Sequence, residues 1–283
     1  MKEIIVAIDF SKGFLNALKY AITIANKTSA NIIMAWVKKP SSNESLYSVD
    51  QTIIEEAKKR FEGLVYDYKN KLKGKLSFKV LAGKVYKEII NLAKYSEAGL
   101  IVSGTHGVSG FEKYWIGSNA NKIVSASDCP VITIRNSFNV RTTIKKIVLP
   151  IDDSIETRQK VPFTAELAKA LDSEIHLLSL YHSENKESLV KVESYTNQIA
   201  EQLKKNNIKY TIESLKGDKN PIKTIEYAEK IGADLIAIMT EQESSPLSFI
   251  LGRFAQETVN HSTIPVLTIQ PKDIYNSWTG VAL

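Results

Sequence analysis

The amino-acid sequence contains the same pattern twice. KEIIVAIDFS, which begins at Lys2, matches KKIVLPIDDS, which begins at Lys145, and CPVITI at Cys129 matches IPVLTI at Ile264. The offset is 143 residues for the first pair and 135 for the second, so the second copy lacks about eight residues of one internal connection. Because this period is that of a whole domain, the pattern predicts a domain duplication and not a solenoid. We divide the chain into copy one (1–136), a linker (137–144), copy two (145–270) and a tail (271–283).

Each copy alternates short β-branched runs with helical patterns. In copy one the helical spacing of FLNALKYAITIANK predicts a helix after the first run, with Ser11 as its N-cap. Further helices are predicted over Val49–Tyr68, over Tyr86–Tyr95 and from Ser118 onward. The predicted strands are Glu3–Asp9, Asn31–Val37, Ser77–Ala82, Leu100–Ser103 and Val131–Ile134. Such alternation predicts an α/β fold: two tandem doubly wound domains, each a parallel sheet with helices on both faces.

Composition narrows the function classes. One cysteine excludes a disulfide framework and a multi-cysteine metal site, and it suits a reducing compartment. No apolar run reaches the roughly 20 residues that a membrane span needs, so we expect a cytoplasmic protein with no membrane partner. Residues 1–143 carry a net charge of +9 and the remainder −3, which is compatible with an anionic ligand. Much of the excess lies in a lysine run (Lys69, Lys71, Lys73, Lys75) that is typical of a solvated turn, so nucleic acid is not the expected partner.

Unusual residues collect where the predicted strands of copy one end. Asp9 closes the first strand, Gly104 and Gly107 follow the fourth, and Gly117 and Ser118 open a helix. In an open parallel sheet, ligands bind beyond the carboxyl ends of strands at the point where strand order reverses. Glycines permit close backbone approach and positive φ, and a helix N-terminus offers unpaired N–H groups. Together they predict a phosphate cradle that needs no catalytic residue.

The spacing Gly104-x2-Gly107-x9-Gly117-Ser118 resembles the G-x2-G-x9-G-[S/T] signature of ATP-binding members of the universal stress protein family. IVAIDFS at the start, Trp36-Val37 and CPVITIR extend the resemblance over nearly the whole chain, twice. The resemblance implies a five-stranded sheet in the order 3-2-1-4-5 in each copy. It also implies an intramolecular pseudo-dimer through the edge strands Val131–Ile134 and Val266–Ile269, and it leaves a further homodimer open.

By the same resemblance, the cofactor is ATP, with adenine and ribose near Asp9 and Val37. A magnesium or manganese ion would be held by phosphate oxygens and water, because no carboxylate cluster is present for it. No catalytic residue and no protein metal ligand is expected. The implied nucleotide-binding residues are Asp9, Val37, Ser103, Gly104, Gly107, Gly117, Ser118 and Asn119.

Other interpretations stay open at this point. Asp9 can be a helix cap, the glycines can serve a tight turn, and Tyr114 and Trp115 are either loop packing or a cover for the nucleotide. His106 is expected to be a surface loop residue and Cys129 a core residue.

Copy two departs from the signature. Met239, Gln242 and Arg253 replace Gly104, Gly107 and Ser118, so we expect ATP in the first copy only. The predicted function is a nucleotide-responsive stress-response module with slow ATP hydrolysis at most. The alternatives are an adenine-nucleotide hydrolase-like enzyme cleaving between the α and β phosphates, and a protein-interaction module that binds no nucleotide.

Overall fold

The computed structural model describes residues 1–11, 13–39, 51–105, 116–181, 185–217, 221–240 and 251–271. The predicted tail beyond Pro271 lies outside this set. In copy one the strands are β1 (Glu3–Ala7), β2 (Asn31–Lys38), β3 (Leu76–Ala82), β4 (Leu100–Gly104) and β5 (Val131–Ile134). In copy two they are β6 (Lys146–Ile151), β7 (Glu174–Tyr181), β8 (Tyr210–Lys216), β9 (Leu235–Met239) and β10 (Val266–Ile269). The strands predicted for copy one are thus confirmed to within one or two residues at their ends.

Each copy contributes four described helices, and they lie between the strands. In copy one they are α1 (Phe14–Thr28), α2 (Gln51–Tyr68), α3 (Val85–Tyr95) and α4 (Ser118–Ala126). In copy two they are α5 (Val161–Leu171), α6 (Lys186–Lys205), α7 (Pro221–Lys230) and α8 (Arg253–His261). Asn31 and Glu174 start equivalent strands at the longer offset of 143 residues, whereas Gln51 and Lys186 start the helices that follow at the shorter offset of 135. The shortening of copy two therefore lies in the connection between its second strand and the next helix.

The predicted N-cap of α1 is wrong. The residue before the helix is Gly13, and no side chain caps it. Ser11 instead donates its hydroxyl proton to Asp9 Oδ1 over 2.6 Å, and its Oγ lies 3.4 Å from the Gly13 nitrogen. The hydroxyl is therefore engaged in the turn after β1. At its other end α1 stops at Ser29 in the left-handed region (φ 55°), and α5 stops the same way at Asp172 (φ 53°).

All ten described strands form one sheet. Its order is β3-β2-β1-β4-β5-β10-β9-β6-β7-β8, so each copy has the predicted order 3-2-1-4-5. The strands are parallel within each copy, and β5 and β10 join the copies as an antiparallel pair in which Leu267 faces Ile132. Thr268 adds a side-chain bond across the junction by donating to the Val131 carbonyl over 3.1 Å. The expected pairing of the two edge strands is confirmed, and it covers two sheet edges that would otherwise be open.

Two apolar layers cover this sheet, and each runs through both copies. On one face α1, α2, α5 and α6 pack against strand residues such as Val102, Ile132 and Leu267. On the other face α3, α4, α7 and α8 pack against residues such as Ile101 and Val266. Burial on both faces explains why the strands are apolar at almost every position. The lysines at 69, 71, 73 and 75 are exposed, as expected.

Candidate functional site

Asp9 lies just beyond the carboxyl end of β1. The strand ends at Ala7, although the Ile8 N–H still donates to the Ala35 carbonyl of β2 over 2.8 Å. Asp9 Oδ1 accepts from the Ser11 N–H at 2.9 Å, and Phe10 between them adopts the left-handed region at φ 55°. Among the described residues none donates a hydrogen bond to Asp9 Oδ2. The carboxylate is therefore held by a local turn with one oxygen still able to accept, and it does not cap α1.

The backbone N–H and C=O of Val37 lie at the same edge of the sheet as Asp9. Its side chain is buried in the core, so only its peptide groups can meet a ligand. In a strand the N–H and C=O of one residue point to the same neighbouring strand, and those of the next residue point to the opposite one. The Lys38 carbonyl faces the β3 side, where it accepts from the Gly83 N–H over 2.9 Å, and the Ala35 carbonyl faces β1. The N–H and C=O of Val37 therefore face the β1 side at a level where β1 has already ended.

The next group of predicted residues lies at the end of β4. Ser103 pairs with Ala7 of β1, which places the end of β4 beside the turn at Asp9. The Ser103 side chain is buried, and its hydroxyl donates to the Gly104 carbonyl over 3.1 Å. Gly104 is the last residue of the strand and faces Ile134 of β5. The switch point between β1 and β4 therefore holds Asp9, Ser103 and Gly104 together, as predicted.

The start of α4 is fastened to the end of β4. The Gly117 N–H donates to the Thr105 carbonyl over 2.7 Å, while the Thr105 N–H donates to the Ile134 carbonyl over 3.0 Å. Thr105 is buried, and sequence analysis did not single it out. Its role rests on a carbonyl, which every residue has, so side-chain chemistry gave no signal for it.

Ser118 and Asn119 form the first turn of α4. Ser118 is exposed and Asn119 is half-buried, and the N-cap residue Gly117 has no side chain to cap the helix. The first intrahelical bond runs from the Asn121 N–H to the Gly117 carbonyl, so the amides ahead of Asn121 point out of the helix end. The partial positive charge of a helix N-terminus adds to these donors. This end of α4 can bind an anion.

The glycines here do not need positive φ. Gly117 has φ −58° and ψ 145°, which any residue adopts, and Gly104 is part of a strand. The positive φ that glycine permits is used at neither position, and what these two glycines contribute is the absence of a side chain. Gly107, His106, Tyr114 and Trp115 lie outside the described residues.

A cluster of aromatic rings lies behind Asp9, and sequence analysis did not single it out. Phe10 packs against Phe61 with ring centroids 5.0 Å apart and against Trp36 at 6.3 Å, and Arg60 lies over its ring at 5.3 Å. These contacts hold the left-handed turn in place from the α2 side. Phe61 follows the helical spacing of α2, but the sequence does not indicate that it meets Phe10.

Copy two presents a different edge. Met239 ends β9 where Gly104 ends β4, and its side chain is buried in the core. Gly252 precedes α8 with φ −55° and ψ 152°, so the helix start is conserved in shape. Arg253 replaces Ser118, and its guanidinium pairs with Glu257 at 2.7 Å.

The turn after β6 also differs from its counterpart. Asp152 Oδ1 accepts from the N–H and the hydroxyl of Ser154, as Asp9 does from Ser11. Lys160, however, is buried, and its ammonium donates to the carbonyl and the hydroxyl oxygen of Thr157 at 2.9 and 3.0 Å. Thr157 Oγ1 in turn accepts from the Asp152 N–H over 3.2 Å. A buried lysine thus occupies the region behind Asp152.

Cys129, expected to be a core residue, is half-buried and packs against the apolar layer under α3 and α4. Burial raises the pKa of its thiol to about 12, and the neighbouring Asp128 carboxylate acts in the same direction. The thiol lies 3.2 Å from the Ala98 carbonyl. A neutral, hydrogen-bonded thiol is a poor nucleophile.

No group of three or more histidine, cysteine, aspartate or glutamate side chains suited to a metal ion occurs in the described ranges. The helices described there include none long and apolar enough to cross a membrane.

The fold and this edge define a class of protein: two doubly wound α/β domains in one chain, joined through their fifth strands. The model of the universal stress protein family matches residues 1–135 and 143–270. The chain therefore belongs to the universal stress protein family, and the double match supports a tandem member.

Relatives and solved structures agree with this assignment. A universal stress protein of Methanocaldococcus jannaschii is 27% identical over 139 residues, which cover 47% of this chain and 82% of that protein. The universal stress protein YxiE of Bacillus subtilis is 31% identical over 145 residues, or 47% of this chain and 98% of its own. A universal stress protein structure from Archaeoglobus fulgidus has a TM-score of 0.73 at 19% identity, covering 96% of this chain and 97% of that one. The last likeness concerns the fold alone.

Proposed function

We propose that this protein binds ATP at the carboxyl edge of copy one and that copy two holds no nucleotide. The observation that carries the proposal is the start of α4, where amides that no side chain of the described residues caps lie beside the switch point between β1 and β4. The signature spacing of Gly104, Gly107, Gly117 and Ser118 supports the choice of a phosphate-bearing ligand.

The adenosine part of the nucleotide would bind to backbone groups of one strand and to a carboxylate oxygen. Val37 supplies a backbone N–H and C=O on the β1 side, a pair that matches the donor and acceptor edge of adenine. Asp9 Oδ2 is placed to accept from a ribose hydroxyl or an exocyclic amine, while Oδ1 stays in its turn with Ser11. Both groups are positioned by backbone hydrogen bonds, so binding needs no large rearrangement of this edge.

The phosphates would lie against the start of α4. The amides of Ser118 and Asn119 and the Ser118 hydroxyl donate, and the helix dipole favours the negative charge. The residues present fit a nucleotide that brings its own divalent cation, because phosphate oxygens and water supply the ligands that magnesium prefers. Gly104 contributes by carrying no side chain into this space.

The equivalent edge of copy two disfavours binding of the same ligand. The Met239 side chain takes the place of the hydrogen of Gly104, and Arg253 has already formed an ion pair with Glu257. The buried Lys160 is fixed by Thr157 behind the turn at Asp152. These three residues support one nucleotide per chain.

We assign the bound nucleotide a regulatory role, with slow hydrolysis at most. At the described edge the Ser103 hydroxyl is engaged by the Gly104 carbonyl, and Asp9 Oδ1 is engaged by Ser11. Asp9 Oδ2 is assigned to the adenosine part of the nucleotide, so neither of these two side chains serves as nucleophile or base at the phosphates.

Calorimetric titration with ATP and magnesium tests the proposal. We expect one site per chain, and we expect Ser118→Ala to weaken binding about fivefold, the effect of losing one hydrogen bond of roughly 1 kcal/mol. Arg253→Ala changes the equivalent position of copy two and should leave ATP affinity unchanged. Two equivalent sites, or equal effects of the two variants, would refute the assignment. Release of AMP and pyrophosphate would favour a hydrolase that cleaves between the α and β phosphates.

A further inference from the structure

A side chain of copy two reaches the start of α4 in copy one. Asn260 lies on α8, and its Oδ1 accepts a hydrogen bond from the Ile116 N–H over 2.9 Å. Both residues are almost completely buried, with exposed fractions of 4% for Asn260 and 9% for Ile116. A backbone N–H can only donate, so the amide oxygen of Asn260, and not its NH2 group, must face it.

This contact is next to the candidate phosphate site. Ile116 immediately precedes Gly117, whose own N–H donates to the Thr105 carbonyl of copy one over 2.7 Å. Two consecutive peptide groups are therefore fixed, one by each copy. The amides that follow, those of Ser118 and Asn119, are the ones assigned to phosphate above. The direction in which they point is set by how the two preceding groups are held.

Copy two also holds the opposite end of the same helix. Gln270 follows β10, and its Nε2 donates to the Ser125 carbonyl over 2.5 Å and to the Val124 carbonyl over 3.5 Å. Helix C-termini leave carbonyls without intrahelical partners, and Gln270 satisfies them. α4 is thus held at both ends by side chains of the other copy.

The residue equivalent to Asn260 is Ser125 in copy one. Its hydroxyl donates to the Asn121 carbonyl one turn earlier in α4, over 2.8 Å. The serine side chain is also shorter, because it carries a hydroxyl where asparagine carries an amide group. Copy two, which has Met239 and Arg253 at its own edge, therefore carries the longer, buried acceptor. That acceptor binds a backbone N–H of copy one, the copy that keeps the glycine signature.

We propose that Asn260 is a positioning residue for the phosphate site of copy one, so that the ATP site is completed by copy two. This inference rests on the proposed function. The occupant is the polyphosphate of an adenine nucleotide, and Asn260 acts on it through Ile116 without touching it.

The test compares Asn260→Leu, which keeps the side-chain size and removes the acceptor, with Gln270→Leu, which removes the contact at the far end of α4. Both variants lose one contact between the copies, so both should lower stability toward urea. Affinities for ATP and for AMP are measured at a temperature at which both variants are folded. Asn260→Leu should weaken ATP binding about tenfold (1.4 kcal/mol) and AMP binding much less. Gln270→Leu should leave the ratio of the two affinities unchanged.

Hydrogen exchange of the Ile116 amide supplies a readout that needs no nucleotide. It should be slow in the wild type and in Gln270→Leu, and fast in Asn260→Leu. An ATP to AMP affinity ratio that is the same in Asn260→Leu as in the wild type would overturn the inference while the proposed function stands. A wild type that binds no ATP would overturn the proposed function and this inference with it.

Discussion

Tyr20 provides a direct measure of how strongly the two copies depend on each other. Its side chain is fully buried on α1 of copy one, and its hydroxyl donates to the backbone carbonyl of Asp234 in copy two over 2.9 Å. Burial and the Asp234 carboxylate raise the pKa of this phenol well above its ordinary value, so the hydroxyl keeps its proton. Tyr20→Phe leaves the ring in place against Phe138, whose centroid is 6.2 Å away. The substitution therefore removes one hydrogen bond and leaves a buried carbonyl without this donor.

The expected loss in the free energy of unfolding is about 1–3 kcal/mol, the range for a buried group that loses its partner. At an unfolding entropy of about 2.1 cal/mol/K per residue, each kcal/mol lowers the melting temperature of a 283-residue chain by roughly 2 °C. The two apolar layers run through both copies, so the whole protein should shift as one transition. Urea unfolding measures the free energy and thermal unfolding measures the melting temperature, each followed by circular dichroism and by tryptophan fluorescence. Tyr95→Phe is the matched control, since Tyr95 is 86% exposed.

Two different results of this experiment would contradict the expected coupling of the copies. If Tyr20→Phe is as stable as Tyr95→Phe, the hydrogen bond to Asp234 contributes nothing. If the two probes report separate transitions and only one of them moves, the copies unfold independently and the shared layers do not couple them.

Three further expectations follow from single side chains. Burial is the main cause that lowers the pKa of His176, so the unfolded chain binds more protons than the folded one and stability should fall as pH drops below about 6.5. Urea midpoints measured between pH 8 and 5 should therefore depend less on pH in His176→Gln than in the wild type. His261→Gln alters an exposed residue and should keep the pH profile of the wild type. Cys129, with a thiol pKa of about 12, should react with iodoacetamide at pH 8 far more slowly in the native protein than in urea, and equal rates would contradict its burial. Asp9→Asn keeps the acceptor for the turn but loses the charge, so calorimetry should show weaker ATP binding in a folded protein, whereas Asp152→Asn should have no effect.

The strands could be read from the sequence because local signals specify them, whereas their order was implied by the resemblance to the universal stress protein family. β-branched runs such as VITI at Val131 are buried on both faces and therefore lack polar positions, and the duplicated pattern fixes the strand count of each copy. Asp9, Ser103 and Gly104 came together as expected because strand ends in a parallel sheet share one edge.

Other features depend on contacts that no short stretch of sequence encodes. Ser11 was expected to cap α1, but the carboxylate of Asp9 is closer to its hydroxyl, and the helix begins after Gly13 without a side-chain cap. The bond from Ile116 to Asn260 joins residues 144 positions apart. Contacts of this kind depend on how the two copies pack, which local propensity does not determine.

The junction between β5 and β10 also fixes an order of events during synthesis. β5 ends at Ile134, and its partner begins only at Val266. At translation rates of about 5–20 residues per second, the ribosome needs roughly 7–26 seconds to make the chain between them. Throughout that interval copy one has all five of its strands, but its edge strand, four buried residues long in the finished molecule, pairs with β4 alone and has no neighbour on its outer side. The nascent chain must therefore carry an unpaired apolar edge until its own second copy arrives to cover it.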